Sequence, residues 1–191
     1  MVPKVWEEFY PAGVWACDTE FTAFPGERQV PICVVARDLN SGRTIRQFEG
    51  EFSTKAPFPI GHDALFVVFV AAAECGTFRA LGWGMPQRIL DLSVEFKDRT
   101  SGINRPFGQS LLGALAYHGL DTKGASEKPA IQKACGDGTW REKYSPVEIL
   151  DYCEGDVAAL ARLLPAMISY IDLPRALLRG RYAGPAVSAM E

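Results

Sequence analysis

Val14-Trp-Ala-Cys-Asp-Thr-Glu-Phe21 is the stretch on which the reading of this chain turns. Its β-branched and aromatic residues predict a strand, and period-two alternation puts Val14, Ala16, Asp18 and Glu20 on one face. Asp18 and Glu20 then stand roughly 7 Å apart at the end of an otherwise apolar strand. Two such carboxylates repel each other unless a cation lies between them. Chance alone supplies about 0.7 Asp-x-Glu pairs in a chain of this composition, so the information lies in where the pair sits.

Two further strands are predicted outward from this one, over residues 29–37 and 43–52. Pro25-Gly26 and Asn40-Ser41-Gly42 are the turns between them, which makes an antiparallel meander. Ala64-Leu-Phe-Val-Val-Phe-Val70 is continuously apolar and suits a buried central strand. It runs into Ala71-Ala-Ala-Glu74, a helix start that is expected to end before Gly82. Residues 88–92 read as a short fifth strand and residues 93–107 as a polar connection.

The remainder reads as helical. Residues 109–118 end at Gly119, residues 127–135 end at Gly136, and a long helix begins near Pro146. Ser145-Pro-Val-Glu148 combines an N-cap serine, proline at the first helical position and the glutamate of a capping box. That helix is expected to reach about Leu164, with Pro165 interrupting or kinking it. Strands first and helices after, around a mixed sheet, describe an α/β or α+β domain. The tail from Pro174, carrying Arg175, Arg179 and Arg181, reads as a connection outside the core.

With 191 residues, 48% of them hydrophobic, the chain suffices for one substantial core. Its five cysteines form no CxxC pair and His62 and His118 are isolated, so any metal must bind oxygen. A net charge of −3 argues against gripping long duplex by charge alone. The longest apolar run is about half a membrane span, and Met1 to Tyr10 lack the order of a signal peptide. A soluble, cytoplasmic protein with no membrane partner is the expectation.

On the long helix Tyr152 and Asp156 stand at i and i+4, beside an apolar stripe of Ile149, Cys153, Val157, Leu160 and Leu164. Asp18-Thr-Glu20 on a first strand and Tyr152-Cys-Glu-Gly-Asp156 on a late helix resemble the first and third motifs of the DEDD exonuclease superfamily. The resemblance is to its tyrosine branch, which includes ribonuclease D and the proofreading domains of family A DNA polymerases. The histidine branch has a histidine five residues before the last aspartate, where this chain has Asp151. Ser110-Leu-Leu-Gly-Ala-Leu-Ala-Tyr-His-Gly-Leu120 is similar to the family's preceding helix. Leu177-Leu-Arg-Gly-Arg-Tyr182 through Met190-Glu191 looks like the lead-in to a family A polymerase domain.

The second motif departs from the family. There an aspartate lies about seventeen residues before an Ile-Asp or Phe-Asp landmark; Ile89-Leu-Asp91 resembles that landmark, and seventeen back from Asp91 stands Glu74. Glu74 therefore takes the second-motif role, with Asp91 as the runner-up.

The resemblance implies a ribonuclease H-like fold, an α/β domain with a mixed five-stranded sheet flanked by helices. It would occupy residues 1–172, followed by the tail at 173–191. It also implies a two-metal 3′–5′ exonuclease using Mg²⁺ or Mn²⁺. Asp18 would bridge both ions, Glu20 and Asp156 would complete the first, Glu74 would support the second, and Tyr152 would orient the water. Phe21 either stacks on the terminal base or packs in the core, and Leu111 would wedge the end open. Between Lys97 and Lys143 eight basic and five acidic residues form a modest excess that suits a phosphate backbone. The implied partners are the 3′ end of single-stranded DNA and a polymerase domain or subunit. Two other readings are a ribonuclease D-like enzyme acting on RNA and an inactive nucleic-acid-binding module.

Overall fold

A computed structural model describes residues 3–122 and 128–190. The strands are β1 (Val14–Thr22), β2 (Val30–Asp38), β3 (Thr44–Phe48), β4 (Leu65–Val68) and β5 (Ile89–Asp91). The helices are α1 (Lys4–Phe9), α2 (Ala71–Ala80), α3 (Leu92–Arg99), α4 (Leu111–Tyr117), α5 (Lys128–Gly136), α6 (Trp140–Lys143), α7 (Pro146–Met167) and α8 (Leu173–Met190). The five strands form one mixed sheet in the order β3-β2-β1-β4-β5. β1 is antiparallel to β2 and parallel to β4, and β4 is parallel to β5, so the protein is α/β with helices flanking the sheet.

Each face of the sheet carries its own core. Val14, Ala16, Cys33 and Val35 face Ile149, Cys153, Val157, Leu160 and Leu164, the predicted stripe of α7. Trp15, Cys17, Val34, Phe66 and Val68 face Phe58, Phe78 and Trp83, an aromatic cluster that includes α2. The expected alternation of β1 therefore holds. The long helix also starts as predicted, with the Ser145 side chain accepting from the Glu148 N–H and the Glu148 carboxylate accepting from the Ser145 N–H.

Four expectations are corrected. The third strand ends at Phe48 instead of continuing to residue 52, because the chain turns at Gly50, whose φ of 86° breaks the ladder. Residues 92–99, expected as the end of the fifth strand and a polar connection, are α3, capped by Asp91. Pro165 lies inside α7, which runs three residues past Leu164 before a single 3-10 turn, Ile168–Tyr170.

The fourth concerns the tail. From Leu173 it forms α8, an 18-residue helix lying on α2 and β5. Small residues make this possible: a Cβ at Gly180 would collide with the Ile89 carbonyl oxygen, and one at Gly184 would come within 2.8 Å of the Ala71 Cβ. Arg179 then closes on the buried Glu95 of α3 with two hydrogen bonds, at 3.0 and 2.6 Å. Glu127, the expected start of the helix at 127–135, and Glu191 lie outside the described residues. No described helix is long and apolar enough to cross a membrane.

Candidate metal centre

The C-terminal ends of β1 and β4 open into a cleft of about 1250 Å³, walled by α2, α3, α4, α5 and α7. Its floor is the end of β1. After Glu20 the pairing of β1 with β2 slips by one residue, so Glu20 lies opposite Cys33 and Phe21 opposite Pro31. The extra residue, Ile32, joins Cys33 in the same core, as a bulge requires. Asp18 and Glu20 keep the face they share with Val14 and Ala16 and emerge beneath α7. The helix is tied to that point by the Cys153 thiol, which donates to the Asp18 carbonyl oxygen at 3.3 Å.

Asp156 of α7 completes a cluster. Asp18, Glu20 and Asp156 each offer a carboxylate oxygen, and the three oxygens lie within 4.8 Å of one another. Two oxygens on opposite sides of a Mg²⁺ ion stand about 4.2 Å apart, so this spread fits one hard cation with little rearrangement. Glu20 is buried, and its carboxyl is pushed well above the usual range, first by burial and then by Asp18. The Tyr152 phenol is likewise pushed up, by burial and then by Asp156, Glu20 and Asp18, so it stays protonated and donates to Asp156.

Glu74 and Asp91 separate cleanly. Glu74 lines the same cleft from the first turn of α2 but falls outside the 4.8 Å group. It is only 3% exposed, its Oε2 has no hydrogen-bond partner among the described residues, and burial followed by Asp18 drives its carboxyl well above the usual range. Asp91 does not line the cleft. One of its oxygens accepts from the Ala71 N–H at 2.8 Å, the other from the Ser93 and Val94 N–H groups at 2.9 and 3.1 Å. It caps two helices, the bland role that a strand-end carboxylate can have. A buried glutamate with an unsatisfied oxygen beside an aspartate is the arrangement a divalent cation relieves, so the residues present fit the implied metal.

No family model matches this chain, and no curated protein or solved structure is significantly similar to it. The site must therefore be read from its own chemistry.

Phe21 is half-buried and lines the cleft instead of joining either core, and Leu111 lines it from the first turn of α4. Asp151 also borders the cleft, where Arg46 of β3 holds it at 2.6 Å and Glu154 at 2.7 Å. Lys97 of α3, from the predicted basic stretch, and Arg162 of α7, which the sequence reading did not name, both line the cleft. For Arg162 a signal existed, since Glu148, Tyr152, Gly155, Ala159 and Arg162 follow one another at helical spacing along a single face. Lys97 carried only the signal of a regional basic excess, because the helix that holds it was read as a connection.

Proposed function

We propose that this chain is a metal-dependent 3′–5′ exonuclease of the tyrosine-branch DEDD kind, with a ribonuclease H-like fold, acting on the 3′ end of single-stranded DNA. The observation that carries the reading is the convergence of Asp18, Glu20 and Asp156 from β1 and α7 to within 4.8 Å. The sheet order β3-β2-β1-β4-β5 and the buried, unsatisfied Glu74 support it.

Asp18, Glu20 and Asp156 would hold one Mg²⁺ or Mn²⁺ ion, and Asp18 with Glu74 a second. Bound there, divalent cations supply Lewis acidity toward a phosphate and a nucleophile at neutral pH. The protein's own contribution is orientation. Tyr152, held protonated, is a donor and not a base: its phenol and the Glu20 carboxylate fix the direction of the attacking water. Water oxygen bonds to phosphorus, the bond from phosphorus to the 3′ oxygen breaks, and a 5′-mononucleotide leaves. Phe21 stacks on the terminal base and Leu111 favours an unpaired end, without reading sequence.

The test is a 5′-labelled single-stranded DNA oligomer incubated with Mg²⁺, Mn²⁺ or EDTA, beside a matched RNA and an Asp18→Ala control. A metal-dependent ladder shortening from the 3′ end and absent in the control is the expected result. The DNA-to-RNA ratio chooses between the DNA reading and its ribonuclease D-like version. No cleavage under any metal turns the assignment toward a binding module.

A further inference from the structure

The charge around the cleft poses a problem for a polyanionic substrate. Six carboxylate residues line it (Asp18, Glu20, Glu74, Glu148, Asp151 and Asp156) against two basic ones, Lys97 and Arg162. Both basic side chains are exposed, and no described salt bridge engages either. They come from different walls, Lys97 from α3 and Arg162 from α7. Arg162 is six residues beyond Asp156, about 9 Å along the helix axis at 1.5 Å per residue. That sets its backbone further along α7 than the carboxylate cluster. Ser93 and Gln109 also line the cleft.

Resting on the proposed exonuclease reading, we infer that Lys97 and Arg162 form a two-walled phosphate clamp that holds the backbone of single-stranded DNA on the 5′ side of the scissile bond. Arg162 presents a planar fork and Lys97 a point charge, so the clamp grips phosphates without selecting bases. The strand leaves the carboxylates between α3 and α7 and passes Leu111. Its two cations offset part of the negative field that the six carboxylates impose on incoming DNA. Neither residue touches the reacting atoms; both are positioning residues.

The experiment measures binding of a 5′-fluorescein-labelled single-stranded DNA decamer by anisotropy, from 25 to 300 mM KCl with Mg²⁺ present. The parent is the Asp18→Ala protein, which on the proposed reading does not degrade the probe. Adding Lys97→Gln and Arg162→Gln is expected to weaken binding about tenfold at 100 mM salt. The slope of log affinity against log salt is expected to fall by about 1.4, at roughly 0.7 for each phosphate that is no longer neutralised. Lys97→Arg with Arg162→Lys is expected to restore the slope, which a merely structural loss would not allow. In the otherwise native protein the double glutamine variant is expected to raise KM and leave kcat at saturating substrate nearly unchanged. An unchanged affinity and slope, with the parent binding normally, overturns the clamp and leaves the exonuclease reading standing. A parent that binds no DNA, together with a native protein that yields no ladder, overturns both.

Discussion

Glu74 and Asp91 meet at the first turn of α2. Both are carboxylates in the interior, 3% and 7% exposed, and their surroundings have used them in opposite ways. Burial raises the Asp91 carboxyl, and the three backbone N–H groups that donate to it at the starts of α2 and α3 offset part of that push. Glu74, three residues into the helix that Asp91 caps, faces Asp18 across the cleft with an oxygen that no described residue satisfies. The lesson is that burial alone does not distinguish a structural carboxylate from a functional one. What distinguishes them is whether the protein's own donors have answered the charge.

The largest break in this comparison is expected at Asp91. Asp91→Ala leaves three backbone donors without their acceptor and removes a helix cap, costing about 3 kcal/mol of stability. Denaturant unfolding checks this, and the activity of the fraction that remains folded is expected to change little. Glu74→Ala should do the reverse. On the proposed reading it lowers the cleavage rate about a hundredfold, near 2.7 kcal/mol of barrier, with a midpoint of unfolding close to that of the native chain. Equal loss of stability at the two positions would erase the distinction drawn between them.

A smaller effect sharpens the comparison through pH. The folded-state value of the Glu74 carboxyl lies well above the ordinary 4.5, because burial and Asp18 disfavour its charge. A carboxyl raised in this way stabilises the fold while protonated, so the metal-free protein loses stability as pH rises above about 4.5 towards the raised value. Glu74→Gln removes that slope and is expected to stabilise the metal-free protein at pH 7. It should also shrink the rise in Tm that Mn²⁺ gives the native chain. Thermal melts at pH 5 and pH 7, with and without Mn²⁺, measure both. The smallest effect is expected at Phe21, where Phe21→Ala should weaken single-stranded DNA binding by about 1 kcal/mol and leave stability almost unaltered, since the ring belongs to neither core.

Much of this was legible in residues 14–21 and 145–164, and for a physical reason. β1 and α7 bury long apolar stretches, so their periodicity is strong, and the Ser145 capping box marks a helix start by local chemistry alone. Asp18, Glu20, Tyr152 and Asp156 inherit their positions from these two elements, and the fold brings them to one cleft. α3 and α8 were not legible. α3 shows the sequence mostly polar residues, and its Glu95 is buried only because Arg179 arrives from a helix 84 residues away. α8 packs through Gly180 and Gly184, which a periodicity argument counts as breakers, and through a charge it counts as solvated. Such elements are decided by their neighbours. The choice between Glu74 and Asp91 was of the same sort, since it depended on three backbone donors whose positions only the folded chain supplies.

The central claim is that Asp18, Glu20 and Asp156 hold a divalent cation, and the most direct measurement is a Mn²⁺ titration followed by electron paramagnetic resonance, with free Mn²⁺ as the readout. The native chain is predicted to deplete the free signal. Asp18→Asn is predicted to abolish that depletion, and Asp91→Asn to retain it in the folded fraction. A native chain that leaves free Mn²⁺ unchanged, or an Asp18→Asn variant that binds as the native chain does, would contradict the claim.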